Sequence, residues 1–174
     1  MNFRGMKTLA ETPVLDARAW SLLQALQHDG RAPLKQLAEA AGLSIPATAE
    51  RLKRLKDAGV VSHIAAQLDA AAAGYGVRAM VGITVVGQPA KKALLDTLRR
   101  AAEVLECHHV AGEDSYMMSV VATDLQELER FLGSINGFGE TRTSIVFSTP
   151  IPRRGLVRPG SVRAKQDLGQ SGAP

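Results

Sequence analysis

The sequence predicts an α+β protein of two domains. Three observations carry that reading. Apolar residues recur at helical spacing through the N-terminal third, strand-like and helical runs alternate from Arg78 onward, and an alanine- and glycine-rich stretch from Asp69 to Gly76 separates the two. The expected organisation is a loose arm over 1–13, a helical domain over 14–61, a connector strand and hinge over 62–77, an alternating domain over 78–150, and a basic, disordered tail over 151–174.

In the first domain Leu15, Ala19, Leu22, Leu23 and Leu26 mark a helix that ends near His28-Asp29-Gly30. Leu34, Leu37, Ala38 and Ala41 mark a second, ended by Gly42, and Ser44 is placed to cap a third. Ile45, Ala49, Leu52 and Leu55 give that third helix a buried stripe closed by Gly59, which leaves Glu50, Arg51, Lys53, Arg54 and Lys56 on the outer face. A short helix, a glycine turn and a second helix with a basic outer face are the parts of a helix-turn-helix. An ordinary helical pair with a solvated charged face has the same local features, but the order of features favours the motif. Val60 to Leu68 is β-favouring and reads as a wing or connector.

In the second domain Arg78–Val86 reads as a strand, Ala90 to Ala102 as a helix, Val104–Ala111 as a strand, and Gly112–Ser115 as a hairpin turn. Tyr116–Ala122 follows as a strand, Leu125–Ile135 as a helix and Thr141–Thr149 as a last strand. The order βαββαβ is that of the ferredoxin-like sandwich, whose two helices cover one sheet face. Met117 and Val121 lie between the apolar residues of the third strand, so the face without helices needs another cover, and a second subunit is expected to supply it.

Composition narrows the classes. Of 174 residues 45% are hydrophobic, which excludes a wholly disordered chain. Lys and Arg number 21 against 17 Asp and Glu, with the excess concentrated in residues 30–60 and after Pro152; that distribution suits a polyanion such as double-stranded DNA. Cys107 is the only cysteine, no run approaches transmembrane length, and Met1 to Pro13 lacks a signal-peptide core, so a cytoplasmic protein with no membrane partner is expected.

The sequence resembles the Lrp/AsnC (feast/famine, leucine-responsive) family of transcription regulators. The resemblance rests on Leu15-Asp16, His28–Arg31, Leu37-Ala38, Gly42–Ser44, Arg51–Leu55, Gly59–Val61, Val110–Tyr116 and Thr141–Ile145, in this order and at these distances. It implies a helix-turn-helix joined to a βαββαβ effector domain that dimerises through its sheets and often assembles to octamers. On that basis the DNA-contact candidates are Arg31, Ser44, Pro46, Ala47, Thr48, Glu50, Arg51 and Arg54. Thr48 departs from the apolar residue usual in the family, Pro46 and Ala49 from small polar ones, and Ser115 from an aspartate; the arginine-rich tail lies outside the resemblance.

A free amino acid presents an ammonium beside a carboxylate, and needs acidic or carbonyl acceptors for the first and amide or hydroxyl donors for the second. Gly112, Glu113, Asp114 and Ser115 offer both kinds, and Thr141 and Thr143 share one face of the last strand; the resemblance implies that this turn and strand border an effector pocket. The same residues also suit a plain solvated turn. His108 and His109 are adjacent on a strand and face opposite sides, so no metal site is expected with Cys107. Gly74-Tyr-Gly76 lacks a nucleotide fingerprint, no cofactor is expected, and no nucleophile–base pair points to an enzyme. The expected function is a DNA-binding transcription regulator answering to a small effector, an amino acid. The alternative is a nucleoid-organising protein of low sequence specificity.

Overall fold

The computed structural model describes residues 15–160, so the arm expected over 1–13 and the part of the tail over 161–174 lie outside the described residues. The chain divides into two compact units, one of residues up to Ala66 together with those from Arg153 on, the other of Gln67–Pro152.

The first unit holds α1 (Ala17–His28), α2 (Leu34–Ala41) and α3 (Ile45–Asp57). Asp16 caps α1, its Oδ1 accepting from the Ala19 amide at 2.7 Å. Gly42, at φ 61°, ends α2 in the left-handed conformation that glycine adopts without a Cβ penalty, and its N–H turns back to the carbonyls of Ala38 and Glu39. Leu22, Leu23 and Leu26 of α1 pack with Leu37 and Ala41 of α2 and Leu55 of α3 in one apolar core.

The third helix differs from expectation in phase. Ile45 is 47% exposed and Ala49 is exposed, whereas Thr48 is fully buried. The buried edge of α3 therefore runs Thr48, Leu52, Leu55. Thr48 tolerates the core because its Oγ1 donates to the Ser44 carbonyl at 2.9 Å, so no polar atom is left unpaired. The expected strand after this helix is also absent: residues 60–69 carry no strand, since their β-favouring side chains have no neighbouring strand to pair with. Within the hinge, Asp69 caps a short turn through the amides of Ala71 and Ala72.

The second unit is a four-stranded antiparallel sheet of β1 (Val77–Thr84), β2 (Val104–His109), β3 (Tyr116–Ala122) and β4 (Glu140–Ile145) in the order β2-β3-β1-β4. Helices α4 (Gln88–Leu98) and α5 (Leu125–Ile135) supply the crossovers. One sheet face, with Val81, Ile83, Met118 and Val120, packs on Leu94, Leu98, Leu128, Phe131 and Ile135. This is the βαββαβ arrangement. The other face is more polar than expected: register brings His108, Met117, Gly82 and Arg142 into one row and Glu106, Ser119, Met80 and Ser144 into the next. The tail is also corrected in part. Over 153–160 it belongs with the helical unit, and Leu156 hydrogen-bonds to Gln27.

The start of α5 is a reciprocal cap: Asp124 Oδ1 accepts from the Glu127 amide at 2.8 Å, and the Glu127 carboxylate accepts from the amide of Thr123. Asp124→Ala should lower the unfolding free energy in a urea titration by about 0.5–2 kcal/mol, and Asp124→Asn should stay close to the parent.

Candidate functional site

Two sites are placed by these elements, one on each unit. On the helical unit, burial of Thr48 turns Pro46, Glu50, Lys53 and Arg54 to the opposite side of α3, about 100° per residue being the helical step. Ala47 and Ser44 are exposed at the helix start, where the Ser44 Oγ accepts from the Ala47 amide at 3.4 Å. Arg31 is exposed in the turn between α1 and α2, its amide bonded to Asp29 Oδ1. Arg54 is 77% exposed and pairs with Glu50 one turn earlier at 3.0 Å.

Two of the expected DNA contacts are repositioned. Thr48 faces the core and is withdrawn as a contact. Arg51 lies three residues beyond Thr48, along the edge of the buried stripe, and its Nη1 donates to Asp16 Oδ1 at 2.6 Å. That carboxylate thus caps α1 and clasps α3 with the same oxygen. Lys53, read from the sequence as an outer-face residue but not among the DNA-contact candidates, is exposed on the same side as Arg54.

On the sheet unit the β2–β3 turn, residues 110–115, is fastened to the end of β1. The Ser115 amide donates to the Ile83 carbonyl at 2.9 Å, and its Oγ bridges the amide and carbonyl of Val85. Thr84 Oγ1 donates to the Glu113 carbonyl at 2.9 Å. Ser115 is therefore spent on holding the turn, and Gly112, at φ 147°, has open space around it.

This fastening lays Asp114 across β1. A Cβ built on Gly82 would stand 2.5 Å from Asp114 Oδ2, so the carboxylate occupies the place of the missing side chain. Arg142 is the β4 neighbour of Gly82. Its Nη2 donates to Asp114 Oδ1 at 2.9 Å and its Nη1 to Glu113 Oε2. Asp114 is 15% exposed and Glu113 82%. The two carboxylates, Asp114 first, push the guanidinium pKa further above its ordinary value.

The expected set is thus divided. Glu113 and Asp114 meet on the helix-free face, with Arg142, which the sequence reading passed over. Thr141 and Thr143 stand in register with Ile83 and Val81 on the helix-covered face, and Thr141 Oγ1 bonds Asn136 Oδ1 at 3.0 Å. Alternation along a strand carried the signal: it places Arg142 opposite to the two threonines on either side of it. Among the described residues, no cluster of three or more His, Cys, Asp or Glu is arranged to hold a metal ion. No helix there is long and apolar enough to cross a membrane.

Comparison with known proteins matches residues 78–156 to the Lrp/AsnC ligand binding domain and residues 15–62 to a winged helix-turn-helix DNA-binding domain. The chain is 35% identical over 130 residues to the HTH-type transcriptional regulator LrpA of Mycobacterium tuberculosis, covering 74% of this chain and 87% of that relative. A feast or famine regulatory protein of M. tuberculosis, solved in complex with L-methionine, superposes with a TM-score of 0.76 at 35% identity, over 83% of this chain and 100% of that one. A transcriptional regulator of Neisseria meningitidis, solved as an L-methionine complex, gives 0.77 at 28% identity, over 82% of this chain and 96% of that one.

The Asp16–Arg51 clasp has a pH signature. The Arg51 guanidinium, and after it the Ala19 amide, hold the Asp16 carboxyl below the usual range. A carboxyl depressed in the folded state adds stability above its unfolded pKa of ~3.9, and that contribution is lost as the pH falls through the folded value. Asp16→Asn should therefore melt below the parent at neutral pH, with the gap closing as the pH drops under ~4 in thermal scans. A gap that stays constant with pH would exclude the clasp.

Proposed function

The chain belongs to the Lrp/AsnC family of transcription regulators, and from that premise we propose that its sheet unit senses an amino acid through Arg142 and the two carboxylates it bridges. It is a DNA-binding regulator, not an enzyme. Acting in the cytoplasm, α3 enters the major groove of an operator with Pro46, Ala47, Glu50, Lys53 and Arg54 turned to the duplex, and Ser44 and Arg31 lie toward the backbone. Two copies associate through their helix-free sheet faces, where Met80 and Met117 leave apolar area that a second copy covers, and dimers build an octamer.

The observation that carries the effector reading is the Arg142 bridge to Glu113 and Asp114 over Gly82. A zwitterion brings the same two charges in the opposite sense. Its ammonium replaces Arg142 at the carboxylates, and its carboxylate takes the released guanidinium, which is shaped for a two-point grip. Exchange of one set of ion pairs for another lets ligand occupancy shift the β2–β3 turn without leaving a charge unpaired. The relatives solved with L-methionine support an amino-acid ligand.

On the DNA side, Lys53→Ala and Arg54→Ala should each weaken operator binding by about 1 kcal/mol and lower the salt dependence by about one ion, measured by gel shift over a salt series. Binding of random duplex with the same affinity as operator would favour the low-specificity organiser instead.

On the effector side, Asp114→Ala should reduce amino-acid affinity roughly ten- to a hundredfold in calorimetry with a panel of amino acids, and leave ligand-free operator binding near the parent. Thr143→Val, on the other face, should respond as the parent does. The opposite ranking of these two variants would move the pocket to the helix-covered face.

A further inference from the structure

The chain beyond β4 returns to the helical unit and is fastened there. Gln27, in the last turn of α1, accepts from the Leu156 amide through Oε1 at 2.7 Å and donates from Nε2 to the Leu156 carbonyl at 3.0 Å, across 129 residues of sequence. One side-chain amide thus satisfies both backbone groups of one residue, as a neighbouring strand would. Gly155 permits the approach, since a Cβ there would stand 3.1 Å from Gln27 Oε1. Leu156 is 74% exposed, so the polar pair and not apolar burial is what seats the segment.

The seated segment, Arg153-Arg-Gly-Leu-Val-Arg158, carries three arginines and no acid, and all three are exposed. Arg154 and Arg158 are four residues apart, up to ~14 Å along an extended chain, which matches about four base steps of a duplex. Duplex DNA carries a charge every ~1.7 Å of axis, and cations delivered to it gain affinity by releasing counterions. We infer that this arm is a second DNA-contacting element of the helical unit, gripping phosphates of the duplex that α3 reads, with Gln27 as its positioning residue. The inference rests on the DNA-binding reading of α3. Its contribution is independent of base sequence, since phosphate contacts position a protein without specifying the site.

The test uses the full chain and an operator duplex, with affinity measured by fluorescence anisotropy over a salt series. The variant R153Q/R154Q/R158Q should lower the slope of log affinity against log salt by about three per protomer, and the matching lysine variant should keep the slope of the parent. Gln27→Ala keeps every charge and frees the arm; it should lose roughly three- to tenfold in affinity at low salt. Circular dichroism should show the same helix content in all of them. A glutamine variant with the slope and affinity of the parent overturns the inference and leaves the α3 reading standing. Loss of slope in the glutamine variant with Gln27→Ala equal to the parent overturns the seated arm, since the arginines then act as a free tail. A parent chain that binds no duplex overturns both readings.

Discussion

The sheet unit depends on the pairing of β1 with two neighbours at once. Antiparallel bonds to β3 on one side and β4 on the other set the register of Gly82 against Met117 and Arg142. From the same strand, the Ile83 carbonyl and the Val85 backbone hold Ser115, and Thr84 holds Glu113. The turn that offers two carboxylates is thus anchored by the strand whose pairing with β4 also brings up their counter-charge, Arg142. A slip of one residue in that pairing would turn Arg142 to the helix-covered side and separate the charges. Packing of Val81 and Ile83 against α4 and α5 makes such a slip unfavourable, because the whole apolar row would move to the open face.

A comparable economy operates in the helical unit. Burying Thr48 rotates α3 so that Arg51 runs along its packed edge, and Asp16 then serves both as the cap of α1 and as the partner of Arg51. One carboxylate couples the start of the first helix to the middle of the third. The orientation of the exposed side of α3, with Lys53 and Arg54, is therefore tied to the residue that caps α1.

Elements with strong local signals were legible in the sequence. The alternation within Tyr116–Ala122 and the helical spacing of Leu125, Leu128, Phe131, Leu132 and Ile135 marked those two elements with their observed ends. The phase of α3 was not legible, because apolarity ranks Ile45 and Ala49 above threonine, while a threonine hydroxyl satisfied by the carbonyl four residues earlier is effectively apolar. Residues 60–68 misled for the opposite reason: β-branched side chains favour a strand, but a strand exists only with a partner. The acidic turn was visible as a local motif. Its partner Arg142 lies 28 residues on from Asp114, and only the sheet register reveals the pair. The seat of Leu156 on Gln27 is more distant still, and composition alone reads that segment as unstructured.

Gly82 puts a weak residue in the middle of the central strand. Glycine there is less stable than alanine by roughly 0.5–1 kcal/mol, since it gives up more backbone freedom on folding. No other residue leaves room for the Asp114 carboxylate, as even a methyl group would overlap it. The position is therefore held by two opposed pressures, strand stability favouring any larger residue and the charge cluster admitting none. A chain selected for thermal resistance alone would be drawn to fill this notch, and in filling it would expel the carboxylate from its place beside Arg142. The notch is a place where an ordered charge cluster is held at the expense of strand rigidity.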